Sequence, residues 1–207
     1  DGTPGDAVAD FVAQLKSGKY ARETDVRFGY AHALLRDNRF AAAEAELASL
    51  RRLGLESPLL ENLAAQLRLR RGDATGALQI LQAAQQRYPH ARALTHALIE
   101  TKVGAGGTAG AAEAVEMTRR ELQLTPGDAR LHALLARAHA ALGKRLRQHR
   151  AQAEAYLIEG RLDEAILQLD LARQAGDGDF FEQSEVDARL RELRQRKQEE
   201  LREARRR

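Results

Sequence analysis

The sequence predicts an all-α solenoid, a stack of antiparallel helix pairs closed by a C-terminal capping helix. Three observations predict it. Small and apolar residues recur at fixed steps: Ala153, Tyr156, Gly160, Ala165, Leu169 and Ala172, again Gly72, Ala77, Leu81, Ala84 and Pro89, and more loosely Asn38, Ala43, Leu47 and Leu50. Pro58, Pro89 and Pro126 are spaced by 31 and 37 residues, bracketing a unit of ~34. Finally, 43% of the residues are hydrophobic but only 4% aromatic, with no Trp, and Ala, Leu, Arg and Glu dominate, a composition suited to thin, closely packed helices. No stretch alternates apolar and polar residues convincingly, so no sheet is expected.

The elements follow in order. Asp6 stands where an N-cap would start a first helix bearing Val8, Phe11, Val12 and Leu15 and ending at Ser17-Gly18. Residues 1–23 therefore form a lead-in to an array over 24–175. The pairs are 25–36 with 40–53, 59–71 with 74–87, and 91–103 with 110–124. Asp37-Asn38, Gly72-Asp73 and Gly160 supply the tight hairpin turns, and Pro58, Pro89 and Pro126 open the following unit. Two irregularities stand out. Residues 104–110 are so rich in Gly that a flexible insert is expected, loosening the third pair. Residues 129–142 read as a half-unit before a well-formed final unit over 146–175, or as part of one unit in shifted register. The capping helix, within 176–207, begins with Asp179 and Glu182 spaced for a capping box. Phe180, Phe181, Val186, Leu190 and Leu193 are expected to form its apolar side. Lys197 ends that stripe, and a frayed basic end follows, including Arg202 to Arg207.

This spacing of small residues is the signature of the tetratricopeptide repeat, so the fold class is a tetratricopeptide-type α-solenoid. Repeat arrays of this kind bind proteins. A balance of 33 basic and 30 acidic residues, net +3, does not demand nucleic acid as a partner. The absence of Cys excludes disulfides and thiolate metal sites; it fits an oxidising compartment, although many cytosolic proteins also lack Cys. No run reaches the ~18 apolar residues of a membrane span. A start without Met or a signal peptide's apolar region reads as part of something longer.

Catalytic and cofactor motifs are scarce. Gly104 to Ala109 formally fits a dinucleotide-binding glycine pattern, but such a loop must follow a strand, and a helix precedes this one. His32, His96, His132 and His139 lie on predicted helices, with His132 and His139 on one face. No Cys or carboxylate completes a metal site there, so surface or groove positions are expected. No His-Glu-x-x-His peptidase motif and no Gly-x-Ser-x-Gly turn occurs. The chain itself is therefore read as no enzyme, with no catalytic, cofactor or metal residues. Lys144, Arg145, Arg147 and Arg150 read either as a solvated helix start, with Arg150 and Glu154 paired at i,i+4, or as a surface for an acidic partner.

In a tetratricopeptide array the first helices line the concave face. That register assigns His32, Arg36, Asn62, Gln66, Arg70, Arg130, Arg137, Arg150 and Glu154 to a polar, Arg-rich groove for protein. The Lys and Asn set with which chaperone-binding arrays hold a C-terminal carboxylate is absent, since Phe28, His32, Asn62 and Gln66 stand there.

The run from Gln148 through Ala153-Glu154-Ala155-Tyr156 to Gly160-Arg161-Leu162-Asp163-Glu164-Ala165-Ile166, then Gly178-Asp179-Phe180-Phe181-Glu182 and Asp187-Ala188-Arg189-Leu190, carries a more specific likeness. It resembles the C-terminal repeat region of bacterial periplasmic zinc metallopeptidases typified by the β-barrel assembly-enhancing protease. Arg27 to Leu35 is similar to the first repeat after the peptidase domain in that family. The resemblance implies a periplasmic, non-catalytic domain of a quality-control protease, with zinc confined to the separate catalytic domain. It implies protein partners: that peptidase domain, and outer-membrane assembly components or substrates. The competing reading is a free-standing scaffold or assembly factor, for example in outer-membrane or pilus biogenesis, with no protease attached.

Overall fold

The computed structural model describes residues 2–204, and these form helices α1 (Pro4–Ser17), α2 (Glu23–Arg36), α3 (Phe40–Arg52), α4 (Pro58–Arg70), α5 (Ala74–Arg87), α6 (Arg92–Ala105), α7 (Gly107–Leu124), α8 (Ala129–Ala141), α9 (Arg145–Ile158), α10 (Leu162–Gln174) and α11 (Phe180–Ala204). No strand occurs among the described residues. The chain separates into two compact units, with the division inside α6 between Leu98 and Ile99.

In the first unit α1 packs on α2, α2 on α3, α3 on α4 and α4 on α5. Its core gathers Val8, Ala31, Leu34, Leu47, Leu50 and Leu60, each Leu worth ~1.5–3 kcal/mol when fully buried. The N-cap of α1 is Thr3 rather than the expected Asp6. Pro4 fills the first helical position and Asp6 the third, where it closes a capping box: the Thr3 amide donates to the Asp6 carboxylate at 2.7 Å, and the Asp6 amide to Thr3 Oγ1 at 3.2 Å.

One turn recurs at several of the helix connections. After α2 the Asn38 amide donates to the Leu35 carbonyl and the Arg39 amide to Leu34. The same two bonds recur from Gly72 and Asp73 to Leu69 and Arg68, from Gly143 and Lys144 to Ala140 and His139, and from Gly160 and Arg161 to Leu157 and Tyr156. This is the Schellman closure, which needs a left-handed residue. Gly160 supplies it at φ 77°, and Asn38 does so at 60°, an angle that Asn tolerates better than most side chains.

In the second unit α7 packs on α8, α8 on α9, α9 on α10, and α10 on α11. The α8–α9 turn matches the α9–α10 turn, and α9 lies against α8 as extensively as against α10. So α9 is both the second helix of one hairpin and the first of the next, which resolves the half-unit seen in the sequence.

The glycine-rich stretch is no flexible insert. Ala31, Ala65 and Ile99 are 0–1% exposed and 34 residues apart, and Ala43, Ala77 and Ala111, equally buried at 0–2%, keep the same interval. The third pair therefore stays in register. Its turn is instead a tight corner. A Cβ on Gly106 would lie 2.6 Å from the Lys102 carbonyl oxygen and from Gly110 Cα, and one on Gly110 would lie 2.6 Å from that same oxygen. The corner is fastened by an ion pair between Lys102 and Glu113.

The closing helix α11 begins with the expected capping box: the Glu182 amide donates to Asp179 Oδ1 at 2.9 Å and the Asp179 amide to Glu182 Oε2 at 3.3 Å. Val186, Leu190 and Leu193 are buried against Leu169 and Ala172. Phe180 and Phe181 are not part of this face; they are 79% and 78% exposed and meet each other edge to face. Counted back from Val186 in helical steps of three or four, the buried stripe reaches Gln183 and Glu182, so both Phe residues fall beside it. Beyond Leu193 the helix does not fray within the described residues. Arg194 grips Asp170 at 2.8 and 2.9 Å, Lys197 pairs with Asp163 at 2.6 Å and Arg196 with Glu200 at 2.9 Å, carrying α11 to Ala204. Residues 205–207, the last of the basic end, lie outside the described residues.

Two substitutions separate the roles of the glycines. Gly110→Ala should destabilise by about 1–3 kcal/mol, the range for overpacking, because the methyl group meets backbone. Gly104→Ala, with open space around its Cβ position, should stabilise the end of α6 by up to about 1 kcal/mol. Urea denaturation of the two variants checks both signs. Leu190→Ala should cost about 2–5 kcal/mol, whereas Phe181→Ala should stay within about 0.5 kcal/mol.

Candidate functional site

Most of the predicted groove residues hold partners within their own unit. In the first unit, His32 and Arg36 edge a hollow of about 330 Å³ where Pro4, Ala7 and Phe11 of α1 meet Phe28 and Gly29 of α2. Gly29 permits that contact, since a Cβ there would lie 2.5 Å from the Phe11 ring. The Asn62 and Gln66 amides are 3.5 Å apart, the outer limit of a hydrogen bond. Arg70 donates to Asn38 Oδ1 at 2.6 Å, bracing the left-handed turn.

In the second unit Arg130 and Arg137 converge on one carboxylate, Glu100, at 3.2 and 2.7 Å. The hydrogen bond from Arg137 is the main cause that holds Glu100 below the usual carboxylate pKa. Arg150 and Glu154 do not pair with each other along α9 as the sequence suggests. Each reaches α11: Arg150 pairs with Glu185, and Glu154 receives two bonds at 3.0 Å from Arg189. Arg147 pairs likewise with Glu182, and its hydrogen bond is the main cause that lowers the Glu182 pKa. The three contacts share a separation of 35 residues, so 147, 150 and 154 on α9 face 182, 185 and 189 on α11 in one register. Within the basic cluster Arg147 and Arg150 are thus ties between helices, whereas Lys144 and Arg145 at the helix start are exposed.

Beside this ladder lies a cleft of about 380 Å³, walled by Arg119 of α7, His132, Leu135 and His139 of α8, Arg147, Arg150, Ala151 and Glu154 of α9, and Glu185 and Arg189 of α11. His132 and His139 share one helix face as expected. Their situations differ. His132 Nε2 lies 2.9 Å from the Pro126 carbonyl oxygen, while His139 is 3% exposed and its Nδ1 is buried without a hydrogen-bond partner. Burial first, then the charges of Arg119, Arg147, Lys144 and Arg150, push its pKa down to about 4. The ring is neutral at pH 7, and His139 is no surface residue.

Among the described residues no group of three or more His, Asp or Glu is placed to hold a metal ion, and no helix is long and apolar enough to cross a membrane. What the cleft offers is guanidinium donors, carboxylate acceptors and two imidazoles beside the apolar side chains of Leu135 and Ala151.

Sequence reasoning placed Arg150 and Glu154 in a groove, named Arg147 only within the basic cluster and His139 only among the helical histidines, and gave no site role to Arg119, Glu185 and Arg189. Two signals were present. His139 precedes Gly143 by four residues as Tyr156 precedes Gly160, and the α9 and α11 charges have opposite signs at matching intervals.

The fold can be placed among known structures. No family model and no curated protein matches the sequence. A thermophilic TPR protein of Thermus thermophilus is similar in structure with a TM-score of 0.52 and 22% identity, covering 81% of this chain and 98% of its own. YrrB, a TPR protein described as having an unusual peptide-binding site, is similar with a TM-score of 0.56 and 16% identity, over 81% of this chain and 84% of its own. This is a tetratricopeptide-type fold. At these identities the likeness is one of fold, and it agrees with the 34-residue recurrence of buried small residues and the antiparallel helix pairs.

His139 makes the stability of this tetratricopeptide-type domain depend on pH. An unfolded chain protonates this ring near 6.5 and the folded one only near 4, so between those values the unfolded state binds more protons. Stability should therefore fall as pH drops from about 6.5 to about 4, by up to about 3 kcal/mol from this residue. Chemical denaturation at pH 7 and pH 5, compared with His139→Phe, should show the variant losing less over this interval.

Proposed function

We propose that this chain is a non-catalytic protein-binding domain that serves a periplasmic zinc metallopeptidase in outer-membrane protein quality control. The observation that carries the binding part is the charged cleft of the second unit, set in a tetratricopeptide-type fold. Its Arg and Glu side chains are paired donors and acceptors, suited to exchanging partners with a polypeptide. A neutral imidazole with a pKa pushed to about 4 is poorly matched to proton transfer at neutral pH, where a catalytic group works best near the operating pH. The peptide-binding site attributed to YrrB supports the same use of the fold.

The periplasmic and protease part rests on the resemblance carried by residues 148–166, 178–182 and 187–190. These stretches include most of α9 and its turn, the capping box of α11 and Arg189, so the likeness takes in Arg150, Ala151, Glu154 and Arg189 of the cleft wall. Partners on this reading are the peptidase domain itself and outer-membrane assembly components or their substrates. Any zinc belongs to that separate catalytic domain.

Capture from a bacterial envelope extract, with bound proteins identified by mass spectrometry, tests the proposal. A zinc metallopeptidase or outer-membrane assembly components should be enriched. Arg150→Gln with Glu185→Gln, which removes one ion pair of the cleft wall, should weaken capture, while melting changes by no more than the ~0–1 kcal/mol typical of an exposed pair. Enrichment of unrelated proteins alone would sink the periplasmic reading and leave protein binding in place. Unchanged capture by the folded double variant would move the contact away from both residues.

A further inference from the structure

A buried polar atom without a partner costs about 1–3 kcal/mol, and Nδ1 of His139 is such an atom. Packing does not require a nitrogen there. The same place in the Schellman turn, the residue whose carbonyl accepts the last bond, is held by Leu34, Arg68 and Tyr156 in other hairpins. A Phe or Tyr would fill the space without orphaning a ring nitrogen. The imidazole also forms part of the cleft wall, beside cations that differ in their commitments. Arg147, Arg150 and Arg189 each hold a carboxylate on a neighbouring helix. Among the described residues Arg119 pairs only with Glu116 of its own helix, at 3.4 Å, and its side chain is 49% exposed.

We propose that Arg119 and His139 form a point in the cleft that binds one carboxylate group of a polypeptide. This deepens the protein-binding reading and rests on it. A bare buried lone pair is tolerated better than an orphaned N–H, so the neutral ring keeps its lone pair on the buried Nδ1 and its hydrogen on Nε2. Nε2–H and the Arg119 guanidinium then donate to the same anion, a charge-assisted arrangement. Glu154 and Glu185 also line the cleft; they disfavour a dianionic phosphate more than a singly charged carboxylate. Leu135 and Ala151 offer apolar surface for the methylene groups behind it. A volume of about 380 Å³ is near the low end of the ~300–1,000 Å³ of small-ligand sites, enough for a short stretch of side chains and not for a docked helix.

The test uses the full chain and three peptides: acetyl-triglutamate amide, acetyl-triglutamine amide, and acetyl-triglutamine with a free C-terminal carboxylate. Calorimetry gives affinity, and nitrogen-15 spectra of the histidine rings report tautomer and contact. A carboxylate peptide should bind and move the His139 ring signals, and the triglutamine amide should not. Which of the two carboxylate peptides binds identifies side chain or chain terminus as the source. Arg119→Gln, a change at an exposed side chain, should weaken binding roughly tenfold, about the loss of one hydrogen bond to a charged group. His139→Phe should do the same without loss of melting temperature; if it fails to fold, Arg119→Gln carries the test. Silent His139 signals with both carboxylate peptides, or parental affinity in Arg119→Gln, would overturn the proposal. Partner capture that survives both variants would overturn it alone, because the wider protein-binding reading is judged by the identity of the captured proteins.

Discussion

The close approach of helices at small residues is the constraint on which both units depend. Ala31 and Ala65 on first helices, Ala43 and Ala77 on second helices, and Ala153 with Ala165 in the last hairpin are all at most 2% exposed. A larger side chain at any of them would push two helices apart and misplace every contact beyond. Because the distances are set by methyl groups rather than by aromatic rings, long charged side chains on one helix reach their neighbours directly. Arg70 meeting Asn38, Arg137 meeting Glu100, and Arg189 meeting Glu154 are consequences of thin helices. Thr118 shows how closely the rule is followed: it stands in this buried register with 0% exposure, and its hydroxyl is satisfied by the Ala114 carbonyl of its own helix at 2.6 Å.

Most of this architecture could be read from the sequence because it is written locally. Helix ends, Schellman turns and the capping box of α11 depend on residues within five positions of each other, and the sequence placed them within a few residues. The misplaced cap at Asp6 has a local explanation too: Thr3 and Asp6 are the two ends of one capping box, and either residue type suits an N-cap.

The failures are of another kind. Gly106 and Gly110 look like loop formers by composition, but their use is steric, and only the fold brings the Lys102 carbonyl oxygen within 2.6 Å of where their side chains would start. Phe180 and Phe181 look like core residues by type, yet the phase of the helix is fixed by Val186, Leu190 and Leu193 downstream. Of the candidate site, Arg150 and Glu154 were legible as polar positions on a first helix. Their partners were not, because i,i+4 proximity competes with a contact 35 residues away, and nothing in a single helix says which will win. His139 lay hidden for a related reason: a lone histidine carries no sign of its burial until α7 and α9 supply the surroundings.

The ladder between α9 and α11 has a consequence for assembly. Its signs run plus, plus, minus along α9 and minus, minus, plus along α11. Slide the closing helix forward one step and Arg150 faces Arg189; slide it back and Glu154 faces Glu185. Either misplacement sets like charges against each other, a penalty added to the mismatch of the buried Leu stripe. The three contacts act as a proofreading pattern, rejecting a cap that docks one turn out of place even where each exposed pair contributes little to stability.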